Sequence, residues 1–97
     1  MVRIEVAERV KTAYTYEDGE KIFRIISKHI KNDETVQLSF SGIDGIPSSF
    51  ANGCFVKLLE DFSLEKIKSL LLITNSTKQI NQMIKSRLNF ENERRST

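Results

Sequence analysis

The stretch Val36–Phe62, VQLSFSGIDGIPSSFANGCFVKLLEDF, decides the fold. Val36, Leu38 and Phe40 alternate with Gln37, Ser39 and Ser41, a period of two that predicts a half-buried strand over Val36–Ser41. Gly42, Gly45 and Pro47 then break regular structure and predict a loop. From Phe50 the period changes. Phe50, Ala51, Cys54, Phe55, Leu58, Leu59 and Phe62 recur at steps of three and four, the apolar stripe of a helix. Ser49, or Ser48 beside it, stands where a helix N-cap is needed.

Upstream, Val2, Ile4 and Val6 alternate with Arg3 and Glu5 and predict a first strand. Val10, Thr12 and Tyr14 continue a weaker alternation, which predicts a second strand, the hairpin partner of the first. Thr15 ahead of Asp18 reads as an N-cap with an acid in the first turn. Ile22, Phe23, Ile26 and Ile30 carry that helix to about Lys31, and Asn32-Asp33-Glu34 ends it. Downstream, Ser63–Lys68 has few core positions and predicts a single turn. The apolar run Leu70–Ile73 predicts a strand covered on both faces. Ser76 and Gln79 have the spacing of a capping box, and Ile80, Met83, Ile84 and Leu88 form the buried face of the helix behind them.

The fold class that results is a small α/β protein, a mixed sheet with parallel core strands and helices packed against it. Residues 1–90 form one domain, and 91–97 form a charged tail expected to fray. Strand–helix–strand units set Val36–Ser41 and Leu70–Thr74 parallel. The loops Gly42–Ser49 and Asn75–Ser76 then share one edge of the sheet, where two helix N-termini converge. Leu38, Phe40, Phe50, Cys54, Phe55, Leu58, Leu72, Ile80 and Ile84 are expected in the core, with Asn52 and Lys57 exposed.

Composition narrows the function. A net charge of +2 over 97 residues is too small to imply nucleic acid by itself. A content of 39% hydrophobic and 29% charged residues suits a soluble globular domain, and no stretch is long enough to span a membrane. The lone Cys54 excludes an internal disulfide and, with no signal-peptide core, points to the cytoplasm. No catalytic constellation stands out. Cys54 lies on the apolar stripe as a core thiol, and His29 has no second metal ligand near it. Glu60 and Asp61 fall on a solvated face, and Gly42-x-x-Gly45 lacks the rest of a phosphate-loop fingerprint. The expectation is a non-enzyme without metal or cofactor.

The segments LSFSGIDGIPSSFANGCFVKLL (38–59) and SLLLITNSTKQINQMIKSRL (69–88) resemble a STAS domain, the fold of anti-sigma factor antagonists and sulfate-transporter tails. The strand end Phe40-Ser41-Gly42-Ile43, the pair Ser48-Ser49 and the loop Asn75-Ser76 carry that resemblance. It implies a bacterial partner-switching protein, with Ser49 (or Ser48) as phospho-acceptor and an ATP-binding, anti-sigma-type kinase as partner. Pro47 and Phe50 depart from the family pattern, standing where an acidic residue and a glycine flank the serines. The implied partner surface comprises Asp44, Ser49, Asn52, Gly53, Lys57, Asn75 and Ser76. The alternative is a small-ligand module, with phosphate or nucleotide held at the converging helix N-termini. A third reading uses Lys78, Lys85 and Arg87 of the last helix against nucleic acid. Homo-oligomerisation is left open.

Overall fold

The computed structural model describes residues 1–96. Its sheet has three strands in the order β1 (Val2–Glu5), β2 (Val36–Ser39) and β3 (Leu71–Thr74). Both pairings are parallel, in a register that aligns Val2, Val36 and Leu71, then Ile4, Leu38 and Ile73. Between β1 and β2 lie α1 (Val6–Arg9) and α2 (Tyr16–Lys31). Between β2 and β3 lie α3 (Ser48–Ala51), a π turn (Asn52–Val56), α4 (Leu58–Asp61) and α5 (Leu64–Leu70). The last helix is α6 (Lys78–Ser96).

Both crossovers step across the sheet in the same direction, and right-handed connections of that kind put their helices on the same face. Burial agrees. Ile4, Val36 and Leu38 on the covered face are 1%, 0% and 0% exposed. In the row that faces the other way, Arg3 and Leu72 are exposed and Gln37 is half-buried. The expected burial of Leu72 is therefore corrected: β3 is an edge strand covered on one face only, and Leu72 is 41% exposed on the open face. A continuous apolar run shows a strand but not which of its faces will be covered.

The second strand expected over Val10–Tyr14 does not form. A strand would place Val10 and Tyr14 on one face, yet Val10 is 7% exposed and Tyr14 is 65% exposed. Val6 and Val10, four residues apart, both turn into the core around the single turn of α1. All the described strands are thus parallel, and the antiparallel member of the expected mixed sheet is absent from them.

Helix boundaries follow local chemistry where a local cap exists. The Thr15 hydroxyl oxygen accepts the Asp18 N–H at 3.0 Å and starts α2, as read from the sequence. Ser63 accepts the Lys66 N–H at 3.1 Å and starts α5, where only a turn was expected. At α6 the cap is Thr77, which accepts the Ile80 N–H at 3.2 Å, rather than Ser76. Of the segment 91–97 expected to fray, α6 takes in the part through Ser96, and Thr97 lies outside the described residues. The Glu91 carboxylate holds that part, meeting Arg87 at 3.0 Å and Arg94 at 3.3 Å.

In the core, the Phe50 ring stands edge-on to Phe40 at 6.4 Å, and the Phe55 ring lies 6.5 Å from Phe40. α2 crosses the segment behind β2 at a pair of glycines. A Cβ on Gly19 would fall on the Phe50 carbonyl, and one on Gly53 on the Tyr16 carbonyl. The two backbones are in contact there. The helix expected to run unbroken over 50–61 widens into its π turn at that crossing.

Candidate functional site at the carboxyl edge of the sheet

The chain leaves β2 and β3 at the same edge, as expected from parallel strands. Side chains lock the two loops that follow into one surface. The Phe40 N–H donates to the Thr74 carbonyl at 3.0 Å, extending the ladder by a residue. The buried Ser39 hydroxyl oxygen accepts the Asn75 amide at 2.9 Å and the Ser41 N–H at 3.3 Å. Asn75 itself has φ +50°, a left-handed conformation that asparagine tolerates better than most residues.

Gln79 forms the tightest link. Its Oε1 accepts the Ile46 N–H at 2.8 Å, and its Nε2 donates to the Ile46 carbonyl at 2.9 Å. One side-chain amide thus satisfies both backbone groups of a buried loop residue. Thr77 adds a bond from its hydroxyl to the Asp44 carbonyl at 2.8 Å. The Ser76–Gln79 capping box is corrected accordingly: Gln79 reaches across to Ile46, and the Ser76 hydroxyl donates to Asn81 Oδ1 at 2.7 Å. We expect Gln79→Ala to lower stability by about 1–3 kcal/mol in urea titration, because both Ile46 groups lose their partner where water enters poorly. A loss within about 0.5 kcal/mol would show that the clamp does not hold the loop.

The serine pair sits differently from expectation. Pro47, not Ser48 or Ser49, occupies the N-cap of α3, and there is no side-chain cap bond. Ser49 lies inside the first turn, and its hydroxyl donates to the Tyr14 carbonyl at 2.6 Å. A partner 35 residues away has displaced the local cap. Both serines are exposed, as are Asp44 and Asn75, while Ser76 is half-buried. Beside them a cavity of about 230 Å³ opens between Lys11–Tyr14 and Gly42–Gly45. Lys11, Tyr14 and Thr77 are members of this edge that the sequence did not place there. Each is brought in by contacts that local patterns do not encode.

Three expected surface residues belong elsewhere. Gly53 is buried at the helix crossing, which removes it from any partner surface. Asn52 is half-buried and its Oδ1 accepts the Arg87 Nε–H at 2.9 Å. Lys57, also half-buried, pairs with Glu20 at 2.9 Å and lies 5.0 Å over the Phe23 ring. The hydrogen bond to Glu20 holds the Lys57 ammonium above its usual pKa, outweighing desolvation. These residues pack α2, the π turn and α6 together rather than present a face. Cys54 is fully buried, and burial pushes its thiol well above the ordinary range, where it is a poor nucleophile. His29 Nδ1 lies 2.9 Å from Glu34. Among the described residues no group of three or more His, Cys, Asp or Glu side chains could hold a metal ion, and no helix is long and apolar enough to cross a membrane.

A small parallel sheet with its helices and with serine- and asparagine-bearing loops at one edge is a STAS-like architecture. The family described as "STAS-like domain of unknown function (DUF4325)" matches residues 18–81, and the chain belongs to that family. The matched region runs from the start of α2 into α6 and takes in Ser48-Ser49 and Asn75-Ser76. No curated protein and no solved structure matches the chain.

Proposed function

We propose that this chain is a regulatory protein–protein interaction module of the anti-sigma factor antagonist type, working by binding rather than by catalysis. The observation that carries the reading is the exposed Ser48-Ser49 pair on a loop edge made rigid by Gln79, Thr77 and Asn75. A preorganised polar surface of that kind loses little entropy on binding. Its contact residues are Asp44, Ser48, Ser49 and Asn75, with an ATP-binding, kinase-like protein as the partner.

Ser49 is the residue to test. Its hydroxyl hydrogen is committed to the Tyr14 carbonyl, and esterification would remove that donor while adding negative charge to the first turn of α3. Phosphorylation would therefore both recharge the edge and release its tie to the Tyr14 segment. We expect Ser49→Ala to lose about 0.5–1.5 kcal/mol of stability, the usual value of a hydrogen bond. Ser49→Asp loses the same bond, regains about 0.3–1 kcal/mol from the helix dipole, and weakens the partner. Affinity for a purified ATP-binding kinase-like protein from the same source, with intact-mass analysis after incubation with ATP, reads both effects. Equal affinity of wild type and Ser49→Asp, with no mass gain at Ser49, would refute the switch.

The cavity between Lys11–Tyr14 and Gly42–Gly45 favours a second reading, a small anionic ligand with Lys11 as its cation. Against it, the strand order never reverses, so the sheet lacks the crevice where open α/β sheets usually take ligands. Titration with inorganic phosphate and with ATP, compared between wild type and Lys11→Ala, decides it.

A further inference from the structure

We infer that the free edge of β3 and the groove beside it take up an extended, acidic segment of a partner protein as an added strand. The site is separate from the serine edge. Among the described residues β3 pairs only with β2, and its sequence, Leu-Leu-Ile-Thr, contains neither a charge nor a proline. Sheet edges in natural proteins are ordinarily blunted by such residues. The opposite edge, β1, has that protection in Arg3 and Glu5.

The backbone orientation follows from the ladder. The Thr74 carbonyl accepts the Phe40 N–H, so Thr74 faces β2, and by alternation Leu72 does too. The Ile73 N–H and carbonyl then point outward, where an incoming strand would meet them. Alongside lies a groove of about 250 Å³ floored by Leu71, Ile73, Ile84 and Leu88. Lys68 and Lys85 line it, both exposed and neither paired with a carboxylate among the described residues.

Each part of this surface constrains the occupant. Outward main-chain groups call for an extended segment rather than a helix. The apolar floor takes alternate apolar side chains, and the unpaired lysines take carboxylates. A second copy of the chain fits poorly, because a two-fold edge-to-edge contact contains both copies of Lys68 and Lys85. Their like charges oppose that pairing.

The test uses the full-length, isotope-labelled chain and two blocked synthetic peptides, one alternating valine with glutamate and the other valine with lysine. Saturable shifts from the glutamate peptide are expected at the Ile73 amide and at the Ile84 and Leu88 methyls. Ile73→Pro removes an outward N–H while sparing the bonds to β2, and it should weaken that peptide about ten-fold. The double variant Lys68→Glu/Lys85→Glu, on the surface and independent of any proline effect on folding, should weaken it by about as much and favour the lysine peptide. Ser49 variants should bind the glutamate peptide as wild type does, so this surface and the serine switch stand or fall separately. Absence of binding, shifts that map elsewhere, or equal binding of both peptides would overturn the proposal. So would a concentration-dependent dimer in sedimentation that Ile73→Pro abolishes, since that would assign the edge to a second copy.

Discussion

Phe55→Ala is expected to lower the free energy of unfolding by about 3–5 kcal/mol, the usual cost of emptying a large aromatic site in a packed core. Phe55 is fully buried and its ring lies 6.5 Å from Phe40, on the layer where the π turn meets the sheet. Its neighbours are held from several directions. Phe40 extends the β2 ladder through its bond to Thr74, and Phe50 sits at the helix crossing. The cavity can therefore collapse only partly, which keeps the cost high. For a domain whose whole stability is about 5–15 kcal/mol, such a loss is a large share and should appear as a much lower urea midpoint. A change under about 1 kcal/mol would mean that this face of the helix is not packed against the sheet.

Gly53→Ala sets two effects of opposite sign against each other. In an isolated helix, alanine in place of glycine stabilises by about 1 kcal/mol. Here the added methyl falls on the Tyr16 carbonyl and lies 3.3 Å from the Glu20 N–H nitrogen, both backbone atoms of α2. Backbone cannot swing aside as a side chain can, so α2 must shift, and overpacking of this kind costs about 1–3 kcal/mol. The packing effect should win, and Gly19→Ala should behave alike, because its methyl meets the Phe50 carbonyl and the Cys54 nitrogen at 2.9 Å. Gly45→Ala is the internal comparison. Its methyl meets only the Gln79 side chain, with Oε1 at 2.9 Å, which can move at the cost of its bonds to Ile46. Thermal unfolding should show Gly53→Ala and Gly19→Ala both destabilised, with Gly45→Ala losing no more than Gln79→Ala does. A stabilised Gly53→Ala would show that the two helices are not in backbone contact.

Gly53 also shows where a local reading stops. Off the apolar stripe, it was expected to admit the close approach of a partner or of a neighbouring element, and what it admits is the backbone of α2. Periodicity records which side chains are apolar, and glycine carries none to record. Asn52 and Lys57 were misplaced for a related reason. Polar residues beside a stripe are exposed unless another element reaches them, and here Arg87 and Glu20 do. The exposure of Asp44, Ser49 and Asn75, by contrast, was legible, because loops at the end of parallel strands run over the surface.

What the sequence by itself determined is the set of elements whose causes are local. The alternation in Val36–Phe40 made β2, the Thr15 cap started α2, and the apolar run at Leu71–Ile73 made β3. The strand–helix–strand order made β2 and β3 parallel and brought both loops to one edge. Tertiary structure decided which face of the sheet stays open, that Ser49 bonds to Tyr14 instead of capping α3, and that Gln79 clamps Ile46 instead of closing a capping box. The reason is energetic. A hydroxyl or amide gains about 1 kcal/mol from a local or a distant partner alike, so the choice falls to whichever geometry the packed core supplies. Burial of Phe40, Phe50 and Phe55 sets that geometry and involves residues far apart in the chain. The polar bonds at the loop edge follow from it.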